Sequence, residues 1–203
     1  MTRFIRSSAA LAAFALATLS SGAAAEEGFY QYPSARGGVL VFASEGDLWR
    51  TGRTGGSAVR LTNHPEEERR AKLSPDGTMV VFNASYDSAN DVYVMPVAGG
   101  PPRRLTFEGG GVSTIGWTPD GMVIFSSRIR GRGQGEILYT IDPAGGEASA
   151  IPLWRANDVT FGFDGTTLFF SRRGLAARAN DNAVLYRGGG MAQLWRWSSG
   201  SQD

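Results

Sequence analysis

The fold is decided by the stretch Ser74-Pro75-Asp76-Gly77, which is followed by the apolar run from Met79 to Phe82. The same four-residue pattern recurs as Thr118-Pro119-Asp120-Gly121 and, in a weaker form, as Gly162-Phe163-Asp164-Gly165. It begins at positions 74, 118 and 162, so the spacing is 44 residues both times. Self-similarity at a fixed period is the sequence signature of a repeat architecture. The chain is therefore expected to be built from repeated units.

Each repeated unit has the pattern of a meander of four β-strands. In the turn, proline presets φ, aspartate bonds nearby backbone N–H groups and glycine accepts a positive φ. These turn residues are Asp76 with Gly77, Asp120 with Gly121, and Asp164 with Gly165. The apolar runs that follow are rich in Val, Ile and Phe, which is typical of strands buried on both faces. Four strands in about 44 residues match the size of one propeller blade, roughly 40 to 50 residues.

The sequence thus predicts an all-β fold, a β-propeller of about four units with an incomplete ring. The units span about residues 29–62, 61–106, 105–153 and 154–203. No apolar run after residue 25 has a helical period long enough to place an α-helix. The fourth unit contains a long insertion, because 25 positions separate Phe170 from Trp195 whereas 11 separate Phe82 from Tyr93. It reaches no closing strand, so we expect an open stack with exposed strand edges.

Residues 1–25 have the three parts of a secretory signal peptide. Arg3 and Arg6 form a basic start, and the stretch 9–19 is apolar and too short to be a permanent membrane anchor, which needs roughly 20 residues. Ala23-Ala24-Ala25 then offers an Ala-x-Ala cleavage site. We expect cleavage after Ala25 and a mature chain of residues 26–203 in the periplasm, with no membrane attachment after cleavage.

The composition argues against several classes of function. The formal net charge is +1 without a clustered basic excess, so no nucleic-acid partner is expected. The absence of cysteine excludes disulfides, thiolate nucleophiles and cysteine-ligated metals. His64 is the only histidine and lies beside Pro65 in a polar segment, which favours a surface loop over a catalytic or metal-binding role. The sequence predicts no catalytic residue, no metal and no cofactor.

Two charged segments stand out in the sequence, and only the second is a candidate for contact with a ligand. Glu66-Glu67-Glu68-Arg69-Arg70 is expected to form a solvated loop in which the opposite charges compensate each other. Four arginines in and beside the insertion are more informative, because a guanidinium pairs bidentately with a peptide carboxylate. The candidate peptide-binding residues are Arg172, Arg173, Arg178 and Arg187. The alternative for these arginines is a solvated loop.

Several ordered phrases resemble the repeat shared by periplasmic TolB-type propellers and the amino-terminal propeller of tricorn-type proteases. The phrases on the tricorn side are Gly46-Asp47-Leu48-Trp49, Asn90-Asp91-Val92-Tyr93-Val94-Met95-Pro96, Arg103-Arg104-Leu105-Thr106, Gly116-Trp117-Thr118-Pro119-Asp120-Gly121 and Tyr186-Arg187-Gly188-Gly189. They occur in order from about Phe29 to Trp197. Their order favours the tricorn type, whereas the turn motif alone would fit either family.

The resemblance implies a much longer protein with a second propeller, a PDZ-like module and a serine-protease core. The catalytic Ser and His of such proteins belong to that core, which this sequence does not match, so the chain is expected to be inactive alone. The resemblance implies a role in substrate access or peptide binding for proteolysis, with peptides or a protein as partner, and an oligomeric full-length protein. The alternative is a non-enzymatic TolB-type propeller that acts as an interaction scaffold. A prolyl-oligopeptidase-like propeller is a third possibility.

Export of the full chain from a bacterium is expected to yield a mature protein that begins at Glu26. Ala23→Asp should block this cleavage, because the peptidase requires small residues at both ends of the Ala-x-Ala site. Ala24→Asp is the matched control, since the middle position is unrestricted. Intact mass and amino-terminal sequencing of the periplasmic fraction measure the outcome. A mature chain that begins elsewhere, or equal processing of the two variants, would contradict the assignment.

Overall fold

The computed structural model describes residues 28–87, 89–130, 136–153, 155–172 and 193–198. Within these ranges the protein consists of fifteen β-strands joined by turns, and no helix is present. No helix in this part of the chain could therefore cross a bilayer. The expected signal peptide and most of the insertion in the fourth unit lie outside the described residues.

The strands form four antiparallel sheets, each made of consecutive strands in chain order. The first sheet contains β1 (Tyr30–Arg36), β2 (Val39–Ser44), β3 (Asp47–Gly52) and β4 (Val59–Arg60). The second contains β5 (Glu68–Leu73), β6 (Met79–Ala84), β7 (Asp91–Pro96) and β8 (Arg103–Arg104). The third contains β9 (Val112–Trp117), β10 (Val123–Ser127), β11 (Ile137–Ile141) and β12 (Ser149–Ala150). The fourth contains β13 (Val159–Phe161), β14 (Leu168–Arg172) and β15 (Gln193–Trp197).

The core lies between the sheets, and the central strands supply both sides of it. In β6, Val80 and Phe82 pack toward the first sheet with Val41 and Leu48. Val81, which points the opposite way, packs toward the third sheet. Successive side chains of a strand alternate between the two faces of a sheet, so a strand with neighbours on both sides must be apolar at every position. This alternation explains the uninterrupted apolar runs, and it confirms the expectation of an all-β fold built from stacked meanders.

The turn between the first and second strands of the second sheet, β5 and β6, is stabilised by hydrogen bonds of its own side chains. Asp76 accepts hydrogen bonds from the Ser74 hydroxyl (2.5 Å) and from the Thr78 amide (3.0 Å) and hydroxyl (2.8 Å). These bonds lower the pKa of Asp76 to about 2. Asp164 makes the corresponding bonds to Thr166 and Thr167, with the same consequence for its pKa. Gly77 takes a φ of 75° in this turn, a value that favours glycine.

A buried hydrogen-bonded cluster, the clasp, ties the third strand to the segment that leaves the sheet. In the second sheet, the Asp91 carboxylate accepts from the Thr106 hydroxyl (2.6 Å) and from the Arg104 guanidinium (2.6 Å), while the Thr106 hydroxyl accepts from the Val92 amide (2.9 Å). The first sheet repeats the clasp with its own aspartate, arginine and threonine, namely Asp47, Arg60 and Thr62. The repeated Arg-Leu-Thr phrase thus has a structural cause.

The clasp does not extend to the third sheet. Register places Ile137, Ala150 and Pro152 where the second sheet has Asp91, Arg104 and Thr106. None of these three side chains can form an ion pair or donate a hydrogen bond. The third sheet therefore depends on apolar packing at the place where the first two use charge.

Loss of the buried carboxylate of the clasp is expected to destabilise the protein strongly. Asp91→Ala leaves Arg104 without its buried partner and should lower the free energy of unfolding by about 3 kcal/mol. Asp87→Ala is the control, because Asp87 pairs with the same guanidinium at 2.8 Å but is 66% exposed, against 0% for Asp91. Exposed pairs contribute about 0.2–1 kcal/mol. Urea unfolding followed by circular dichroism measures both, and equal losses would argue against the clasp.

Candidate functional site: the axial groove

The first strands of the four sheets, β1, β5, β9 and β13, line a common groove that we call the axial groove. Neighbouring inner strands contact each other in the order β1, β5, β9, β13. The groove has a volume of about 640 Å³ and is open to solvent. Its polar lining includes Tyr32, Ser34, Arg36, Arg70, Lys72, Thr114 and Asp158. Because it is lined by strands of the four sheets, its shape is set by the packing of the sheets.

The groove has two different ends. The turns between first and second strands lie together at one face, where Gly77 lies beside Arg36 and Gly165 beside Pro119. In an antiparallel meander, the segments that connect successive sheets and the loops after the second strands must lie at the opposite face. A second cleft at that face is lined by Tyr32, Arg70, residues 65–67 and Arg69, among others. Tyr32 and Arg70 line both regions, so they lie where the axial groove and the cleft meet.

Each of the inner strands β1, β5 and β9, the first strands of their sheets, contains a bulge that changes the direction of its side chains near this junction. In each of the first three sheets the inner strand has one residue more than its partner, always opposite the phenylalanine of the second strand. The register shifts at residues 31–34 facing Phe42, 69–72 facing Phe82, and 114–116 facing Phe125. Such bulges bend a strand and redirect its side chains.

Two residues at these bulges have backbone conformations that are unfavourable for their side chains. Tyr32 has a φ of 51° and Arg70 a φ of 57°, and register places them at equivalent positions of β1 and β5. For a residue other than glycine, this left-handed conformation is unfavourable by roughly 1–2 kcal/mol. Such outliers cluster at binding and catalytic sites. Their occurrence at the neck of the groove marks it as the candidate site.

The axial groove is cationic. Arg36, Arg70 and Lys72 line it, and Asp158 is the only carboxylate among the described lining residues. None of the three cations forms an ion pair with a described residue. Arg69, the neighbour of Arg70, is by contrast ion-paired with Glu67. Lys72 is the only lysine of the chain.

Hydrogen bonds between sheets hold the groove walls together. The Ser34 hydroxyl accepts from the Leu73 amide (2.9 Å), and the Trp117 indole donates to the Lys72 carbonyl (2.9 Å). The buried Asn83 side chain accepts from the Thr114 amide (2.7 Å) and donates to the next sheet through the Val112 carbonyl. The Thr114 hydroxyl itself is buried and has no hydrogen-bond partner among the described residues. The walls are thus joined by hydrogen bonds between neighbouring sheets, and one buried polar atom is left unsatisfied.

The acidic segment before β5 does not match the expectation of a solvated loop. Glu68 begins β5 and is 1% exposed, so that part of the interpretation is wrong. Its carboxylate accepts from the Tyr86 hydroxyl (2.5 Å) and the Thr62 hydroxyl (2.8 Å). Burial is the main cause that raises the pKa of Glu68. The sequence gives no alternation signal here, because β5 has charged residues at three consecutive positions, 68–70, and again at Lys72.

His64 lies on the surface and is engaged by its neighbours. Its ring contacts that of Tyr86 at a centroid distance of 4.1 Å, and Nδ1 accepts from the Glu66 amide (3.1 Å). No group of three or more His, Asp or Glu side chains in the described ranges is arranged to hold a metal ion. The described arrangement around His64 is that of a structural contact between loops.

The arginines chosen from the sequence are not part of the axial groove as far as they are described. Arg172 ends β14, and its guanidinium lies over the rings of Trp195 (4.6 Å) and Phe170 (5.2 Å). Arg173, Arg178 and Arg187 lie outside the described residues. Tyr32 and Lys72 were not singled out from the sequence, and Arg70 was assigned only to a solvated loop, because nothing in the spacing indicates a bulge.

Four antiparallel meanders arranged around a shared groove define a β-propeller. Residues 27–203 match the family model of the tricorn protease N-terminal β-propeller domain, and the chain belongs to that family. The match confirms the resemblance noted in the sequence. It also agrees with the order of the family-like phrases from about Phe29 to Trp197.

Individual relatives point the same way. The tricorn protease homolog 1 of Streptomyces coelicolor is 33% identical over 172 residues, which cover 82% of this chain and 16% of that protein. The crystal structure of the tricorn protease is similar with a TM-score of 0.69 at 22% identity, covering 83% of this chain and 17% of that one. TolB from Acinetobacter baumannii has a TM-score of 0.63 at 18% identity, covering 84% and 41%. The chain thus spans about a sixth of its tricorn relatives.

At position 70, glycine is expected to give a more stable protein than alanine, which is the reverse of the usual order in a strand. Arg70→Gly should exceed Arg70→Ala in free energy of unfolding by about 1 kcal/mol, because only glycine accepts the positive φ without a Cβ clash. Arg69 is the matched control, since it neighbours Arg70 in β5 and lacks a positive φ. At position 69, the alanine variant should have the higher free energy of unfolding, by about 0.5–1 kcal/mol. Urea unfolding of the four variants measures the order, and the same order at both positions would contradict the strained bulge.

Proposed function

We propose that this chain supplies a non-catalytic, peptide-binding propeller to an exported tricorn-like serine protease. The observation that carries the proposal is the axial groove, an open polar trough between the inner strands of four sheets. The proposed role is to bind extended segments of substrate and so contribute to their access to a protease core elsewhere in the full-length protein.

The dimensions and lining of the groove support a peptide as ligand. Binding sites for small ligands commonly have volumes of about 300–1,000 Å³, so about 640 Å³ accommodates a few residues of an extended chain. A peptide backbone needs polar partners along its length, since its N–H and C=O groups lose water on binding. Ser34 of the first sheet, Thr160 of the fourth sheet and Asp158, which directly precedes that sheet, line the groove and offer such partners.

The proposal of a non-catalytic role is supported by the surroundings of His64. General-base catalysis needs a histidine nitrogen within hydrogen-bond reach of the nucleophile. Nδ1 of His64 instead accepts from a backbone amide, and its ring packs on Tyr86. Export to the periplasm belongs to the same proposal and is supported by the signal-peptide pattern of residues 1–25.

Blocking the groove is the direct test of peptide binding. Thr160 lines the groove and is exposed, so Thr160→Trp should fill it without disturbing the core. Dye-labelled extended peptides are titrated with the mature chain, and fluorescence anisotropy reports the Kd. The variant should weaken binding by about tenfold or more, which corresponds to the loss of ~1.4 kcal/mol of contact.

Thr166→Trp is the control, because Thr166 is an exposed threonine of the turn between β13 and β14 that does not line the groove. It should bind as the unmodified protein does. Equal effects of the two variants, or no peptide binding at all, would overturn the proposal. Capture of a folded protein in place of peptides would favour the interaction-scaffold alternative. Peptide cleavage by the purified chain that a serine-directed reagent abolishes would refute the non-catalytic role.

A further inference from the structure

We propose that the axial groove contains a carboxylate-binding site centred on Arg70 and Lys72, which makes the propeller selective for peptides with acidic groups. This inference rests on the proposed peptide-binding function and names the chemistry that the groove recognises. The carboxylate can belong to an acidic side chain or to the carboxyl terminus of a peptide. Both sources present the same planar group.

The charge balance of the groove is the first argument. Arg36, Arg70 and Lys72 face a concave space that contains one lining carboxylate, Asp158. No described acidic side chain lies within ion-pair distance of the three cations. A cleft lined by charges of one sign focuses the field and raises the local concentration of the opposite ion. The unneutralised cations therefore favour an anionic ligand.

The contrast with the adjacent cleft sharpens this argument. There, Glu67 neutralises Arg69, and Glu66 adds further negative charge. Positive charge is thus compensated at the outer cleft and left uncompensated past the neck formed by Tyr32 and Arg70. An acidic group of a ligand is therefore attracted to the unpaired cations once it reaches the neck.

The backbone at Arg70 is the second, independent argument. The bulge in β5 and the φ of 57° place an arginine in a conformation that glycine or asparagine would adopt at lower free energy. Strain of this kind persists at ligand sites. A guanidinium is the side chain whose paired N–H groups match a carboxylate bidentately. The fold thus holds a residue suited to carboxylates at a position where its side chain is conformationally costly.

The test compares peptides of one length and sequence that differ only in charge. One is amidated with a single Glu, the second is amidated with Gln in its place, and the third has Gln and a free carboxyl terminus. Fluorescence anisotropy at low salt measures the Kd of each. We expect the amidated Gln peptide to bind about tenfold more weakly than at least one carboxylate-bearing peptide, as a charge-assisted hydrogen bond of ~1.4 kcal/mol implies. The better of the two identifies the source of the carboxylate.

Arg70→Asn is the decisive variant, because asparagine tolerates the positive φ and removes the cation. It should abolish the preference for the carboxylate, so that the three peptides bind this variant with Kd values within about twofold of one another, a difference of ~0.4 kcal/mol. Arg103→Asn removes the same charge from β8, the outermost strand of the second sheet, and should leave the preference intact. Circular dichroism verifies that both variants are folded.

The single lysine provides a second readout that does not depend on any substitution. Reductive methylation with ¹³C-formaldehyde labels only Lys72 and the α-amino group, and Lys72→Arg identifies the lysine signal. The Glu or free-carboxylate peptide should shift that signal more than the amidated Gln peptide does. Equal affinity for all three peptides would overturn the carboxylate site and leave peptide binding standing. Absence of binding by every peptide would overturn both.

Discussion

Burial of both faces of the central strands is the constraint on which the rest of the structure depends. Val80 and Phe82 face one neighbouring sheet while Val81 faces the other, so no sheet can satisfy its apolar surface alone. Apolar burial contributes roughly 25 cal/mol per Å², and it is gained here only between units. The same stacking brings the four inner strands side by side. The axial groove is therefore a by-product of how the core is made.

The bulges connect this core to the groove. Each lies opposite a phenylalanine of the second strand, and the rings of Phe82 and Phe125 stack on Tyr93 and Tyr139 at centroid distances of 6.0 and 5.6 Å. A large ring at a fixed place in every unit thus coincides with a fixed irregularity in the strand beside it. The groove can vary in chemistry from sheet to sheet, with Tyr32 in one and Arg70 in the next, while the underlying geometry is kept.

The sequence predicted the fold well because its signals are local and repeated. The turn at Asp76, the apolar runs and their spacing all arise within one unit, so they can be recognised without knowing the tertiary structure. Glu68 was misassigned because its environment depends on Thr62 of one sheet and Tyr86 of another segment, which local pattern cannot reveal. The groove residues were not predicted as ligand contacts for a similar reason. A bulge in β5 changes the direction of the Arg70 side chain, and the neighbouring sequence does not reveal that bulge. Of the arginines chosen from the insertion, only Arg172 lies in the described ranges.

The clasp is present in the two amino-terminal sheets and absent from the third, so the units differ in how they are stabilised along the chain. The first two sheets have the Asp-Arg-Thr arrangement, and the third has Ile137, Ala150 and Pro152 instead. In a stacked repeat protein, local stability is a sum of the intrinsic stability of each unit and its interfaces with neighbours. The two units nearest the amino terminus thus have buried polar anchors of their own. The third unit lacks this anchor, so its stability depends on contact with its neighbours.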